Sequence, residues 1–74
     1  MLDSDSSAFL EAWATACEMT GNGKVPSPRA MNMAFDVLKD FDLENVLKAL
    51  SAHVRNPQTG QFQPKPADIV RHLH

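Results

Sequence analysis

Three of the chain's five prolines, Pro57, Pro64 and Pro66, fall within ten residues and dictate where helix must stop and restart. Proline lacks the N–H of an interior helical residue, and its ring pushes the preceding residue out of the helical region. Upstream of them, Leu43, Val46, Leu47, Leu50 and Val54 recur at the spacing of one helix face. The pattern breaks at Asn56-Pro57 and turns through Gly60, which is free to take a positive φ. It then carries Phe62 into Pro64-Lys65-Pro66 before a last apolar series at Ile69, Val70 and Leu73. A helix, a stiffened crossing loop and a docking helix are therefore expected between residues 42 and 73.

Two more helices precede this unit. The first is expected over residues 5–20, starting on the hydroxyls of Ser4 to Ser7 and carrying Phe9, Ala12, Trp13, Ala16 and Thr20 as its inner stripe. Gly21-Asn22-Gly23 should end it, since these residues tolerate the left-handed conformation of many helix ends. Ser27-Pro28 is a start signal, with serine as cap and proline at the first helical position. The second helix should span residues 28–39 with Met31, Ala34, Phe35 and Leu38 inward. Asp40-Phe41-Asp42 is then a tight hinge, and Asp42 the expected cap of a third helix over 43–55. Pro66 opens the fourth, over 66–73. Gln61-Phe62-Gln63 has no second strand to pair with and reads as extended loop with Phe62 tucked in. The fold class is all-α: a small four-helix domain with short loops and a Pro-rich crossing loop before the last helix. Its expected core is Phe9, Trp13, Met31, Phe35, Leu38, Leu47, Leu50, Phe62, Ile69 and Leu73.

At 74 residues the chain supports one domain and a stability of a few kcal/mol, which leaves little room for buried charge or strain. An apolar fraction of 43% with a net charge of -2 opposes disorder. The acidic start lacks the basic, then apolar, pattern of a secretory signal, and nothing approaches the length of a membrane span. Cys17 has no second cysteine to pair with, so a reducing, cytoplasmic setting and no membrane partner are expected.

Catalytic constellations are hard to assemble from these residues. Cys17 borders an apolar stripe and reads as a small buried hydrophobe. His53, His72 and His74 are the histidines; Asp68 and His72 share a helical face, but two ligands do not make a tetrahedral zinc site. Asp36, Asp40, Asp42 and Glu44 read as caps and solubilising charge, and no cofactor motif is present. Binding is the better reading. Arg55, Lys65 and Arg71, with Gln58, Gln61 and Gln63, form a candidate basic patch for weak nucleic-acid contact. The rim of Trp13 and the out-of-register Phe41 are candidate contacts for a protein partner, Phe41 alternatively a lid on the core.

A resemblance sharpens this. The segment Val46-Leu47-x-Ala49-Leu50-x-x-His53, a turn with Asn56, then Phe62 and Gln63-Pro64-Lys65-Pro66-Ala67-Asp68-Ile69, is similar to the folded domain of small phage and prophage proteins that load or inhibit the replicative helicase. In that family a leucine-rich helix precedes an aromatic, Pro-x-Pro, a small residue, an acidic residue and an isoleucine. Leu50, His53, Phe62, Pro64, Pro66, Asp68 and Ile69 match as structural positions, with Phe62 expected to pin the loop and Asp68 to favour the last helix start. Lys65 departs from the family's usual Ser or Thr cap, and the family's loaders carry a polar tail beyond the folded domain. The resemblance implies a non-enzymatic, cytoplasmic replication accessory protein of a bacterial host cell. Its partner would be the replicative helicase or a replication initiation protein. The residues alone leave a small DNA-binding regulator, using the basic C-terminal side, as the alternative.

Overall fold

The computed structural model describes residues 1–73. His74 lies outside them. A 3-10 turn at Asp3–Asp5 leads into four helices: α1 at Ser6–Glu18, α2 at Pro28–Leu38, α3 at Leu43–Arg55 and α4 at Pro66–Leu73. The domain is all-α, with the proline-containing loop before the last helix. α3 packs against α1 on one side and α4 on the other, while α2 touches both α1 and α4. The shortest dimension of 16 Å fits two layers of helices at the usual interaxial spacing of about 8–10 Å.

The helix boundaries follow from local chemistry, with three exceptions at the caps. Ser27 behaves as expected: its Oγ accepts from the Ala30 N–H at 3.3 Å, and Pro28 sits where a donor is not needed. The serines at the start of α1 cap nothing. Instead the Asp5 carboxylate accepts from the Leu2 N–H at 3.0 Å and closes the preceding turn, and α1 begins at Ser6, within the hydroxyl run. Asp42 occupies the cap position of α3, yet its side chain makes no cap bond; its carbonyl accepts from the Val46 N–H, and extended backbone at Asp42 makes the corner. At α4, Lys65 substitutes for a hydroxyl cap. Its backbone N–H donates to Asp68 Oδ2 at 3.2 Å while its carbonyl accepts from Asp68 N–H, which is the return half of a capping box.

The core is built on Phe9, Trp13 and Cys17 of α1, Leu38 of α2, Val46 and Leu50 of α3, and Ile69 of α4. Phe9 stacks at a tilt on Trp13, with ring centres 5.5 Å apart, and meets Phe35 edge-on at 5.4 Å. Each such pair adds about 0.5–1.5 kcal/mol beyond the area it buries. Met31, Phe35 and Leu73 flank the core half-buried, as Phe41 does, which makes Phe41 a lid. Two expected core members are outside. Leu47 is 36% exposed, because the buried stripe of α3 runs through Val46, Ala49, Leu50 and His53. Phe62 is 63% exposed, and Pro64 is the loop residue buried in its place.

Among the described residues positive φ is confined to Gly21 and Gly23 at the end of α1, so Gly60 is not there for a left-handed turn. Gly60 is needed for space: a Cβ on it would lie 2.7 Å from the Val54 carbonyl oxygen and 2.8 Å from that of Asn56. Both are helix-end backbone that cannot withdraw cheaply. Gly60→Ala is therefore expected to cost about 1–3 kcal/mol by forcing α3's end and the loop apart. Denaturant unfolding checks this, and a loss below about 0.5 kcal/mol would show that the loop yields freely.

Candidate functional site

The crossing loop, residues 56–65, determines what the domain presents. Asn56 starts it with its side-chain oxygen, which accepts from Gln58 N–H at 2.8 Å. Thr59 Oγ1 donates back to the His53 carbonyl at 2.9 Å, satisfying a free acceptor at the end of α3. Two long-range ties then fix the loop on the helices. His53, 2% exposed, holds the Phe62 carbonyl at 2.9 Å through Nε2. A carbonyl only accepts, so Nε2 carries the proton and Nδ1 the lone pair. Gln63 Nε2 donates to the Cys17 carbonyl at 3.2 Å, to Asn22 Oδ1 at 3.3 Å and to the Lys24 carbonyl. Two amide protons serve three acceptors, so one is shared, and the end of α1 is capped from the far side of the chain.

With its backbone held inward, the loop turns Phe62 outward. Phe62 borders a groove of about 630 Å³ between the α1–α2 turn, the loop and α4, together with Gln58, Gln61, Lys65, Arg71 and His72. The expected basic patch is thus divided. Lys65 and Arg71 share this groove, whereas Arg55 donates to Ser51 Oγ at 3.0 Å and borders other depressions along α3. Gln63 borders the groove as well, with its amide nitrogen engaged by the end of α1 and the turn after it.

A second groove, of about 530 Å³, runs between α1 and α3. Its α1 wall carries Ala8, Ala12 and Met19, and its α3 wall Leu47 and Val54, with Glu11 and Arg55 among its lining charges. Met19 is 65% exposed. The two grooves share no lining residue.

Trp13 is 2% exposed and stacked on Phe9, so it offers no rim to a partner. Leu50 and Ile69 are core, and Pro66 opens α4 as expected. Phe62 pins nothing with its ring; its carbonyl does the pinning, which residue type does not reveal. His53 was matched as a motif position, and its burial could have been read from its seven-residue offset from Val46 on the α3 stripe. Among the described residues no group of three or more His, Cys, Asp or Glu is placed to hold a metal, and no helix is long and apolar enough to cross a membrane. Family models, curated proteins and solved structures were compared with the chain, and none matches it.

Cys17 is fully buried, and that burial raises its thiol pKa above the ordinary 9.0. The charged form is disfavoured only in the fold. This contribution to stability is therefore fully present below the unfolded thiol's pKa and is lost as pH rises through and beyond it. Cys17→Ser is expected to flatten the loss of stability above about pH 9, measured by thermal melts across alkaline pH.

His53→Leu separates two effects. It removes the hydrogen bond to the Phe62 carbonyl, and it also removes Nδ1, a buried acceptor without a hydrogen-bond partner. A net bond is worth about 0.5–1.5 kcal/mol and an unsatisfied buried group costs about 1–3 kcal/mol, so the two should nearly cancel in global stability. Amide exchange at Gly60 and Phe62 should nevertheless quicken, because the loop loses its tie. A global loss of several kcal/mol would contradict this balance.

Proposed function

We propose that this domain is a non-enzymatic replication accessory module that binds the replicative helicase or a replication initiation protein, guiding or inhibiting helicase loading. The observation that carries the protein-binding part is the open apolar groove between α1 and α3. On so small a domain, exposed Met19 and Leu47 facing each other across alanines form a surface that water solvates poorly. Ala8 and Ala12 let a partner helix approach the α1 backbone closely. Met19 and Leu47 supply adaptable apolar contact on either side of it. The resemblance of residues 46–70 to helicase loaders supplies the partner class. A duplex-DNA regulator draws less support, because Arg55 does not lie with Lys65 and Arg71 and two neighbouring cations neutralise few phosphates.

The test is calorimetric titration of the chain against purified replicative helicase, and separately against initiation protein, at low and high salt. An apolar contact predicts stoichiometric binding to one of them that changes little with salt. Leu47→Asp, at a position 36% exposed and therefore tolerant of a polar side chain in the free domain, should weaken it at least about tenfold. The absence of binding to both proteins would remove the proposal.

A further inference from the structure

We infer that the groove bordered by Phe62 is a binding site for single-stranded nucleic acid, stacking one unpaired base on the Phe62 ring and holding flanking phosphates with Lys65 and Arg71. Four observations meet there. Phe62 is 63% exposed, so its ring contributes little to the core. Its backbone is fixed on both sides, by His53 at the Phe62 carbonyl and by the Gln63 amide on α1, so the ring is offered from a rigid base and little ordering is needed on binding. Lys65 and Arg71, both exposed, border the same groove as the ring. Gln58 and Gln61 place amide groups beside it, although the Gln61 amide also donates to the Gln58 carbonyl at 3.0 Å.

The charge balance selects single strands over duplex. Asp68 also borders the groove, and its carboxylate accepts from the Lys65 N–H, so Lys65 and Arg71 leave a formal balance of one positive charge there. That is too little to hold a duplex through its phosphates alone. An unpaired base adds stacking on the aromatic face, which a duplex, with its bases already stacked, does not offer. The shared ligand chemistry is an unpaired base between phosphates, in DNA or RNA. The site is independent of the α1–α3 groove, so it stands or falls without the helicase partner.

The experiment is fluorescence anisotropy of labelled oligothymidylate and oligouridylate, each about ten nucleotides long, titrated with the full chain in the absence of other proteins. Both strands are expected to bind with a Kd on the order of 10⁻⁵–10⁻⁴ M, and a duplex of equal length more weakly. Two phosphate contacts predict a log K against log salt slope of about -1.4, or about sevenfold weaker binding between ~50 and ~200 mM salt. Phe62→Ala should lose at least about fivefold in affinity while keeping the wild-type circular dichroism, since its ring lies outside the core. Lys65→Gln with Arg71→Gln should abolish the salt slope, and Lys39→Gln, a charge loss elsewhere, should change little. No anisotropy change at about 1 mM chain, an unaltered affinity in Phe62→Ala, or duplex binding equal to single-strand binding would each overturn the site. So would perturbation of Phe62 resonances by the helicase but not by either strand.

Discussion

The hydrogen bond from the buried His53 ring to the Phe62 carbonyl sets the height at which the crossing loop passes over α3. It acts beside the Thr59 hydroxyl on the His53 carbonyl and the Gln63 amide on the end of α1, which tie the same residues 56–65. With it, the loop crosses at one height, Pro64 is pressed into the core, and α4 starts where Ile69 reaches Val46 and Leu50 in the common cluster. The Gln63 amide makes the same crossing serve α1. A loop thus does work usually left to a hydrophobic anchor, and the aromatic that would have been that anchor is left to solvent.

Energetically this is a compromise that a small domain can sustain because its remaining core is economical. Phe9, Trp13 and Phe35 form one connected set of rings, and removing Phe9 would cost about 3–5 kcal/mol, comparable to the stability expected of a chain this size. The exposed Lys48–Glu44 pair, 3.3 Å apart, adds at most a few tenths of a kcal/mol by comparison. Stability is concentrated at the α1–α2–α3 junction, and the surfaces proposed to bind lie along its margins.

Periodicity made the helices legible, and punctuation made their order legible. Ser27-Pro28 and Lys65-Pro66 mark two helix starts to the residue, since proline at the first helical position leaves few alternatives. The side-chain assignments at the loop were not legible. Whether Phe62 or its own carbonyl fills the space above His53 depends on the height at which the chain crosses, which Gln63, Thr59 and Gly60 set through backbone contacts. Residue hydrophobicity carries no information about those. Leu47 faces out where core was expected for a related reason: on α3 a small rotation of the buried stripe brings Ala49 and His53 in, and the orientation was settled by neighbours. The expected patch of Arg55, Lys65 and Arg71 came from proximity in sequence, whereas Arg55 lies before the turn and the other two after it. Of the candidate site, the two cations were readable and the aromatic between them was not.

The Gln63 bonds also bear on the order in which the chain acquires its structure. The carbonyl of Cys17, which accepts locally from the Thr20 N–H, receives a second partner from a residue 46 positions later. A nascent chain that has emerged only as far as α3 holds α1 with that end unfinished and its core lacking Ile69. The segment from residue 63 onward therefore brings in both the missing apolar layer and a further cap on the first helix. Folding of the domain should therefore await residue 63 and α4, with the partly made domain exposed to chaperones and proteases until both have emerged.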